Sequence, residues 1–478
     1  MDRMEQKSVR LGKRFGYSVA SITDAANFTF MNSYILFFLT TVCGVNPAAA
    51  GTITAIGTIL SSVWSPVVGF LSDRCRSRFG RRRPFLMAAI IPLIFSLFLC
   101  FTNVGLSGPL KNVYYCFGVT LFWCAFSTFY SPWLTLAAEL TDDYNERTAM
   151  RSITYAIAQV GTLLGMAAPP LLVGWIAGLG FSQARSWTIT ALIIGAIAGA
   201  SLLVTITSTA GSDRPLKKEL PAGPADSSQS SPAPDAQQPA AASGLKELFR
   251  EYWQVIRLKP MICIMLMSLG HMTAQGIFYS GRAYLFEYHL QLPSAKLSLA
   301  VIFSAAAGMI LSPLVNQLSK KMDKRAALIL LLLLSAALMI VGAAVGGIGS
   351  FLDAVLLAFA FAIGNAAFWQ LMPVMLYDVC EYDAWKNRRQ RRGVIVAVQP
   401  LLETICSGLA TLMLGIILDL SGFDGESAVQ SAGALAGIKA SYSIVPAALM
   451  IFAAAMTVLY PISRKKYEQI KRELAERH

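Results

Sequence analysis

The sequence predicts an all-α polytopic membrane protein: twelve transmembrane helices in two pseudo-symmetric six-helix bundles. Three observations lead there. Of 478 residues, 55% are hydrophobic and 14% charged, and mean hydropathy is +0.55, too apolar for a soluble chain of this length. About twelve runs reach the roughly 20 apolar residues that a bilayer crossing needs. Lys and Arg gather in alternate connecting loops, and a short pattern recurs at equivalent places in the two halves.

Residues 1–15 read as a short basic tail. Spans are then expected at 16–43, 47–72, 84–105, 112–140, 149–177 and 185–209 by length and hydropathy. The first lacks a small-residue cleavage site and reads as a retained helix. Residues 210–243, rich in Pro, Ala, Ser and Gln, cannot bury a core, and disorder is expected there. Apolar residues then return at helical spacing through Leu245, Leu248, Phe249, Tyr252 and Ile256. This predicts an amphipathic surface helix over 245–258. Six further spans are expected near 259–288, 295–318, 325–349, 351–380, 394–421 and 439–463, before a basic helical tail. The units are thus an N-terminal bundle (1–209), a linker with its amphipathic helix (210–258), a C-terminal bundle (259–463) and a tail (464–478).

The net charge of +13 sits in short loops, including 74–83, 320–325 and 386–392. That is topology rather than a nucleic-acid face, and it predicts that both termini are cytoplasmic in a plasma or inner membrane. The eight cysteines are scattered, without a C-x-x-C pair, so neither a disulfide framework nor a metal site is expected. No P-loop, G-x-S-x-G, H-E-x-x-H or Rossmann glycine pattern is present, so no enzyme, no ATP-driven pump and no cofactor is expected.

Ionisable residues inside spans each cost about 2.5–3.5 kcal/mol on insertion scales and so stand out as functional candidates. Asp24 lies in span 1, His271 and Arg282 in span 7, and Glu403 in span 11. Glu403 reads either as a proton-coupling carboxylate or as the partner of a buried base such as Arg282. His271 reads as a titrating group or a packing donor, and Arg282 either reaches the interface or attracts an anionic group. Trp369 and Trp133 are candidate platforms for a sugar ring, with Asn365, Gln370 and Gln399 for its hydroxyls; membrane packing is the other reading of each Trp. Asp73, Arg74, Glu139, Arg147, Asp378, Glu381 and Asp383 fall at helix ends and read as gating charges or solvated interfacial ones.

The loop Ser65–Pro84 carries G-x-x-x-D-R and then R-x-G-R-x-R-P. It resembles the helix 2–3 loop of the major facilitator superfamily, in the variant of the glycoside–pentoside–hexuronide:cation symporters and the sucrose transporters. Its start, SPVVGFLS, is matched at Ser312–Ser319 by SPLVNQLS, as a duplicated unit would leave. Three other stretches are similar to the symporter family: ITDAANFTFMNSYILFF around Asp24 and Asn27, YSPWLTLAAELTDDYNERT, and FWQLMPVMLYDVCEYDAWKNRRQRRG. The resemblance implies the major facilitator fold, a cavity lined by helices 1, 4, 7 and 10, and sugar contact at Asp24. It also implies a cation site where this chain holds Ser61, Ser65 and Tyr130, and a helix 11 lysine where it holds Thr404. Hydroxyls in place of carboxylates make a poor site for a hard cation.

The expected function is therefore secondary active transport of a sugar or glycoside by alternating access. A proton, rather than sodium, is the expected coupling ion through Asp24 or Glu403, with Ser61 and Ser65 at the old cation site. Expected substrate contacts are Asp24, Asn27, Tyr130, Trp133, His271, Arg282, Asn365, Trp369 and Gln399. Two alternatives remain: a facilitator, exchanger or symporter of an amphipathic organic anion or lysolipid-like solute, and a non-transporting membrane sensor. The partners are a small molecule and the bilayer, with no nucleic acid, and a monomer is expected.

Overall fold

The computed structural model describes residues 11–75, 77, 79–140, 144–210, 245–345, 347–389 and 391–476. The linker from residue 211 to 244 lies outside them, as does the tail before residue 11. Twelve helices among the described residues are long and apolar enough to cross a membrane. In order they are span 1 (Gly12–Val42), 2 (Pro47–Gly69), 3 (Arg83–Cys100), 4 (Gly108–Leu136), 5 (Ile153–Gly178) and 6 (Gln183–Ser208). Then come 7 (Lys259–His289), 8 (Ser294–Lys321), 9 (Lys324–Val345), 10 (Phe351–Asn387), 11 (Val394–Leu420) and 12 (Ala432–Val458).

The halves repeat each other in their packing. Span 1 lies against 5 and 6, span 2 against 4, and span 3 against 4 and 6; in the matching pairs span 7 packs on 11 and 12, span 8 on 10, and span 9 on 10 and 12. Both first spans also end in a π-helical turn, Phe38–Val42 and Leu285–His289. Close approach depends on small residues, because lipid offers no hydrophobic drive between helices. A Cβ on Gly165 would stand 2.1 Å from the Ala26 carbonyl oxygen of span 1. Large apolar side chains such as Ile91, Trp175 and Ile310 are left exposed on the periphery, as a lipid-facing surface requires.

The two largest departures from the expected boundaries lie in spans 10 and 12. Span 10 runs on to Asn387, because Lys386 and its neighbours extend the helix past the hydrocarbon until Arg388 adopts a left-handed conformation. Span 12 begins at Ala432 rather than near 439; Ser431 caps it by accepting from the Ala434 amide at 3.1 Å. The weakly apolar AGALAGIK stretch does not announce itself by hydropathy. Beyond the spans, the amphipathic helix forms over Leu245–Ile256 and packs on spans 7 and 11, and a last helix spans Arg464–Ala475.

The arginine-rich loop does more than mark a membrane side. Arg82 Nη1 donates to Ser72 Oγ at 2.6 Å, and Arg83 Nε and Nη2 donate to the Ile206 carbonyl at 3.1 and 2.8 Å. The loop thereby ties spans 2, 3 and 6 together. In the other half, Asp383 is fully buried rather than solvated, held by Arg391 at 2.8 and 3.0 Å and by Asn387 at 2.7 Å. Removing one partner of a buried pair leaves an uncompensated charge, at about 3–5 kcal/mol. Arg391→Ala is therefore expected to destabilise the protein by roughly 3 kcal/mol, and Asp383→Asn in the same chain to restore much of the loss, both read from thermal unfolding in detergent.

Candidate functional site

The halves meet along spans 2 and 11, 1 and 7, and 5 and 8. The Asn46 Nδ2 atom donates to Asp419 Oδ1 at 2.5 Å, Thr54 Oγ1 to Thr411 Oγ1 at 2.8 Å, and Thr40 Oγ1 pairs with Tyr284 Oη at 2.7 Å. Ser298 donates to the Ala167 carbonyl at 2.7 Å, Ser280 to the Asn32 carbonyl, and Ser407 to Asn32 Oδ1. These contacts run from loops 43–46 and 421–431 down to mid-depth. Beyond them, Asp24, Trp369, Gln399 and Glu403 are partly buried within their spans. Among the described residues, the contacts between the bundles thus close the cleft on the side of loops 43–46 and 421–431.

Polar side chains from spans 7, 10 and 11 converge there. His271 is fully buried, stacked on Phe368 at 4.2 Å, with Nε2 3.2 Å from Asn365 Oδ1. Trp369 Nε1 donates to Gln275 Oε1 at 3.3 Å, and Gln275 Nε2 to Tyr279 Oη at 3.3 Å. Arg282 is 2% exposed, its guanidinium over the Tyr279 ring at 5.4 Å. Gln399 Nε2 donates to Glu403 Oε1 at 3.1 Å. Glu403 and Asp24 lie near enough to feel each other's charge.

The other expected residues are placed differently. Asn27 is fully buried, donating to the Thr23 carbonyl at 2.8 Å, while its Oδ1 lacks a partner. Trp133 is 2% exposed, stacked on Tyr17 at 5.5 Å and donating to its carbonyl at 3.1 Å, so its ring is enclosed within the N-terminal bundle in this conformation. Tyr130 is half-buried and stacked on Phe126 at 5.6 Å. Ser61 is buried and donates to the Thr58 carbonyl at 2.9 Å, while Ser65 is half-buried.

Among the helix-end charges, Asp378 pairs with Lys324 of its own half at 2.6 Å, Glu381 is half-buried, and Arg74 is exposed. Asp73, Glu139 and Arg147 lie outside the residues whose side chains are described. Arg282 neither reaches the interface nor pairs with Glu403. Gln275, Tyr279 and Asn32 are site residues that hydropathy and charge passed over. The signal was available: His271, Gln275, Tyr279 and Arg282 follow one another at four-, four- and three-residue steps, one polar face of a helix.

Two six-helix bundles meeting around a polar central cleft define a major facilitator transporter. The family model described as "MFS/sugar transport protein" matches residues 16–464, and the chain belongs to that family. It is a multi-pass transporter of the sugar/cation symporter type, not an enzyme. It is 24% identical over 475 residues to the "uncharacterized symporter YnaJ" of Bacillus subtilis, covering 98% of this chain and 96% of that protein. It is 23% identical over 488 residues to the "isoprimeverose transporter" of Lactiplantibacillus pentosus, covering 99% and 93%. In structure it is similar to a bacterial homolog of the human lysosomal transporter Spinster in its inward-facing, unoccupied conformation. The TM-score there is 0.65 at 14% identity, with 96% and 98% of the two chains covered.

Proposed function

We propose that this chain carries a sugar or glycoside across a cytoplasmic membrane by alternating access, coupled to protons, with both termini facing the cytoplasm. The observation that carries the reading is the cluster between the halves: an indole, Trp369, tethered to Gln275, beside the amides Asn365 and Gln399 and the carboxylates Asp24 and Glu403. An aromatic face suits the C–H side of a sugar ring, while amides exchange hydrogen bonds with its hydroxyls. The two carboxylates of that cluster, Asp24 and Glu403, are the groups proposed to carry the coupling proton. The basic loops 74–83, 320–325 and 386–392 favour placing that end of the bundles in the cytoplasm. The isoprimeverose transporter among its relatives supports a sugar substrate.

Counterflow of labelled sugars in proteoliposomes tests this. Trp369→Ala is expected to raise the KM for the transported sugar about tenfold, the loss of one ring contact worth about 1.4 kcal/mol, with kcat little changed. Sugar counterflow absent across a panel of pentoses, hexoses and disaccharides would refute the reading.

A further inference from the structure

We propose that the outer end of the N-terminal bundle holds an anionic phospholipid of the outer leaflet, its phosphate on Arg185 in a cavity between spans 3 and 6. The cavity faces outward on the topology proposed above, and its occupant is independent of the solute carried. It measures about 340 Å³ and is lined by the end of span 3, at Thr102 and Asn103, and by Phe181, Arg185, Thr188 and Ile189. Asn103 Nδ2 donates to the Val42 carbonyl at 3.0 Å, which puts the cavity at the end of span 1 and opposite the 74–83 loop.

Its depth and surroundings point to lipid. Span 3 has 18 residues, about 27 Å of helix, close to the hydrocarbon thickness of about 30 Å. Thr102 and Asn103 come just past its end, so the cavity lies at the level of the headgroups. Spans 3 and 6 pack on each other and on spans 1, 4 and 5 of their own half. Their outer faces are turned to lipid, with Ile91, Phe95, Leu192 and Leu203 exposed.

The polar groups of the cavity divide into two kinds. Thr188 Oγ1 donates to the Phe101 carbonyl at 2.7 Å and Thr102 Oγ1 to the Phe98 carbonyl at 2.6 Å, so the fold uses those donors itself. Arg185 is different. It is exposed, and no described residue hydrogen-bonds, pairs or stacks with its guanidinium. Two other cations near that end are occupied, Lys111 by the Cys43 carbonyl and Lys296 by the Phe351 ring at 5.1 Å.

A phosphodiester offers the guanidinium fork two acceptor oxygens. Phe181 and Ile189 supply apolar walls for the glycerol and the first methylenes, and the acyl chains run down the exposed faces of spans 3 and 6. A free phosphate would meet Arg185 but leave those walls in water, which costs their burial. The lining holds one cation and no carboxylate. An anionic headgroup therefore fits better than a zwitterionic one, whose amine meets no opposite charge there.

Native mass spectrometry of the full-length protein in detergent tests this. Dioleoyl phosphatidylglycerol, dioleoyl phosphatidylcholine and inorganic phosphate are titrated separately at constant ionic strength. The basic cytoplasmic loops also attract anionic lipid, so substitution isolates the site. Arg185→Gln is expected to weaken one bound phosphatidylglycerol about tenfold, and Arg185→Lys to keep part of that affinity. Arg257→Gln, an exposed change beside the linker helix, is expected to leave that lipid in place. A phosphatidylglycerol with a diazirine near its glycerol is expected to label residues 179–192 in the parent and to lose that label in the Gln variant. Phosphatidylcholine binding there as tightly as phosphatidylglycerol would overturn the proposal, and so would label at 179–192 that persists in the Gln variant. Inorganic phosphate that blocks the label at matched concentration would assign Arg185 to a soluble anion instead. If the Gln variant does not fold, the Lys variant and the position of the label decide.

Discussion

Replacing Glu403 by Gln is expected to abolish accumulation of solute driven by a pH gradient while leaving counterflow intact. Glu403 is the carboxylate on span 11 held by Gln399 at 3.1 Å, and it lies within range of the Asp24 charge. If its protonation accompanies loading, the direction follows from mass action. Acid on the loading side protonates the carboxyl and favours entry, and the more alkaline side removes the proton and drives release. One pH unit is 1.36 kcal/mol per proton, so coupling to one proton supports at most about tenfold accumulation per unit. Wild-type proteoliposomes should approach that ratio, and Glu403→Gln should stop at equal concentrations inside and out. Counterflow needs only the conformational exchange of a loaded carrier, so it should persist. Gradient-driven accumulation surviving in the variant would remove Glu403 from coupling and turn attention to Asp24.

Gly415→Val is expected to cost at least tenfold in transport rate by preventing closure of the sealed side. Span 11 passes span 2 so closely that a Cβ on Gly415 would stand 2.3 Å from the Pro47 carbonyl oxygen and 3.2 Å from the Gly51 Cα. These are backbone atoms, which cannot rotate aside as a side-chain tip can. The contact exists only while the sealed side is shut, so the substitution penalises this conformation and spares its counterpart, and the population shifts accordingly. The readout is labelling of Ser407→Cys, in a background lacking the eight native cysteines, by an impermeant maleimide added from the sealed side. Ser407 is 8% exposed and bonded to Asn32 in the closed cleft, so labelling should be slow in the parent and fast with Gly415→Val. Unchanged labelling with unchanged transport would show that the helices separate enough to admit the side chain.

Much of the architecture was legible because it is local. Runs of about 20 apolar residues must cross a bilayer as helices, since no other segment satisfies its backbone there. The matched octapeptides at Ser65 and Ser312 announced the duplication that the packing then displayed in full, with the same helix pairs formed in each half. Boundaries failed where hydropathy and helicity part company. Span 10 continues past its apolar stretch, and the start of span 12 is set by a serine cap rather than by oil.

The site was legible only in its parts. Asp24, His271, Arg282, Trp369 and Glu403 were visible one by one, because polarity within a span is conspicuous. Their partners were not. His271 meets Asn365 and Trp369 meets Gln275 across spans 7 and 10, about ninety positions apart in the chain. Trp133 shows the limit from the other side. It reads as a candidate platform for a sugar ring, yet Tyr17 and Phe129 enclose its ring.

By itself, then, the sequence determined twelve crossings, two related halves, a family, and a short set of buried polar residues. The crossings and the polar residues follow from segment hydropathy, and the related halves and the family from motifs that recur along the chain or resemble known ones. Only the tertiary structure decided which side of the cleft the described contacts close, and that Asp383 is buried against Arg391. Those facts depend on which helix faces meet, and side-chain pairing between distant spans is set by packing that no local pattern encodes.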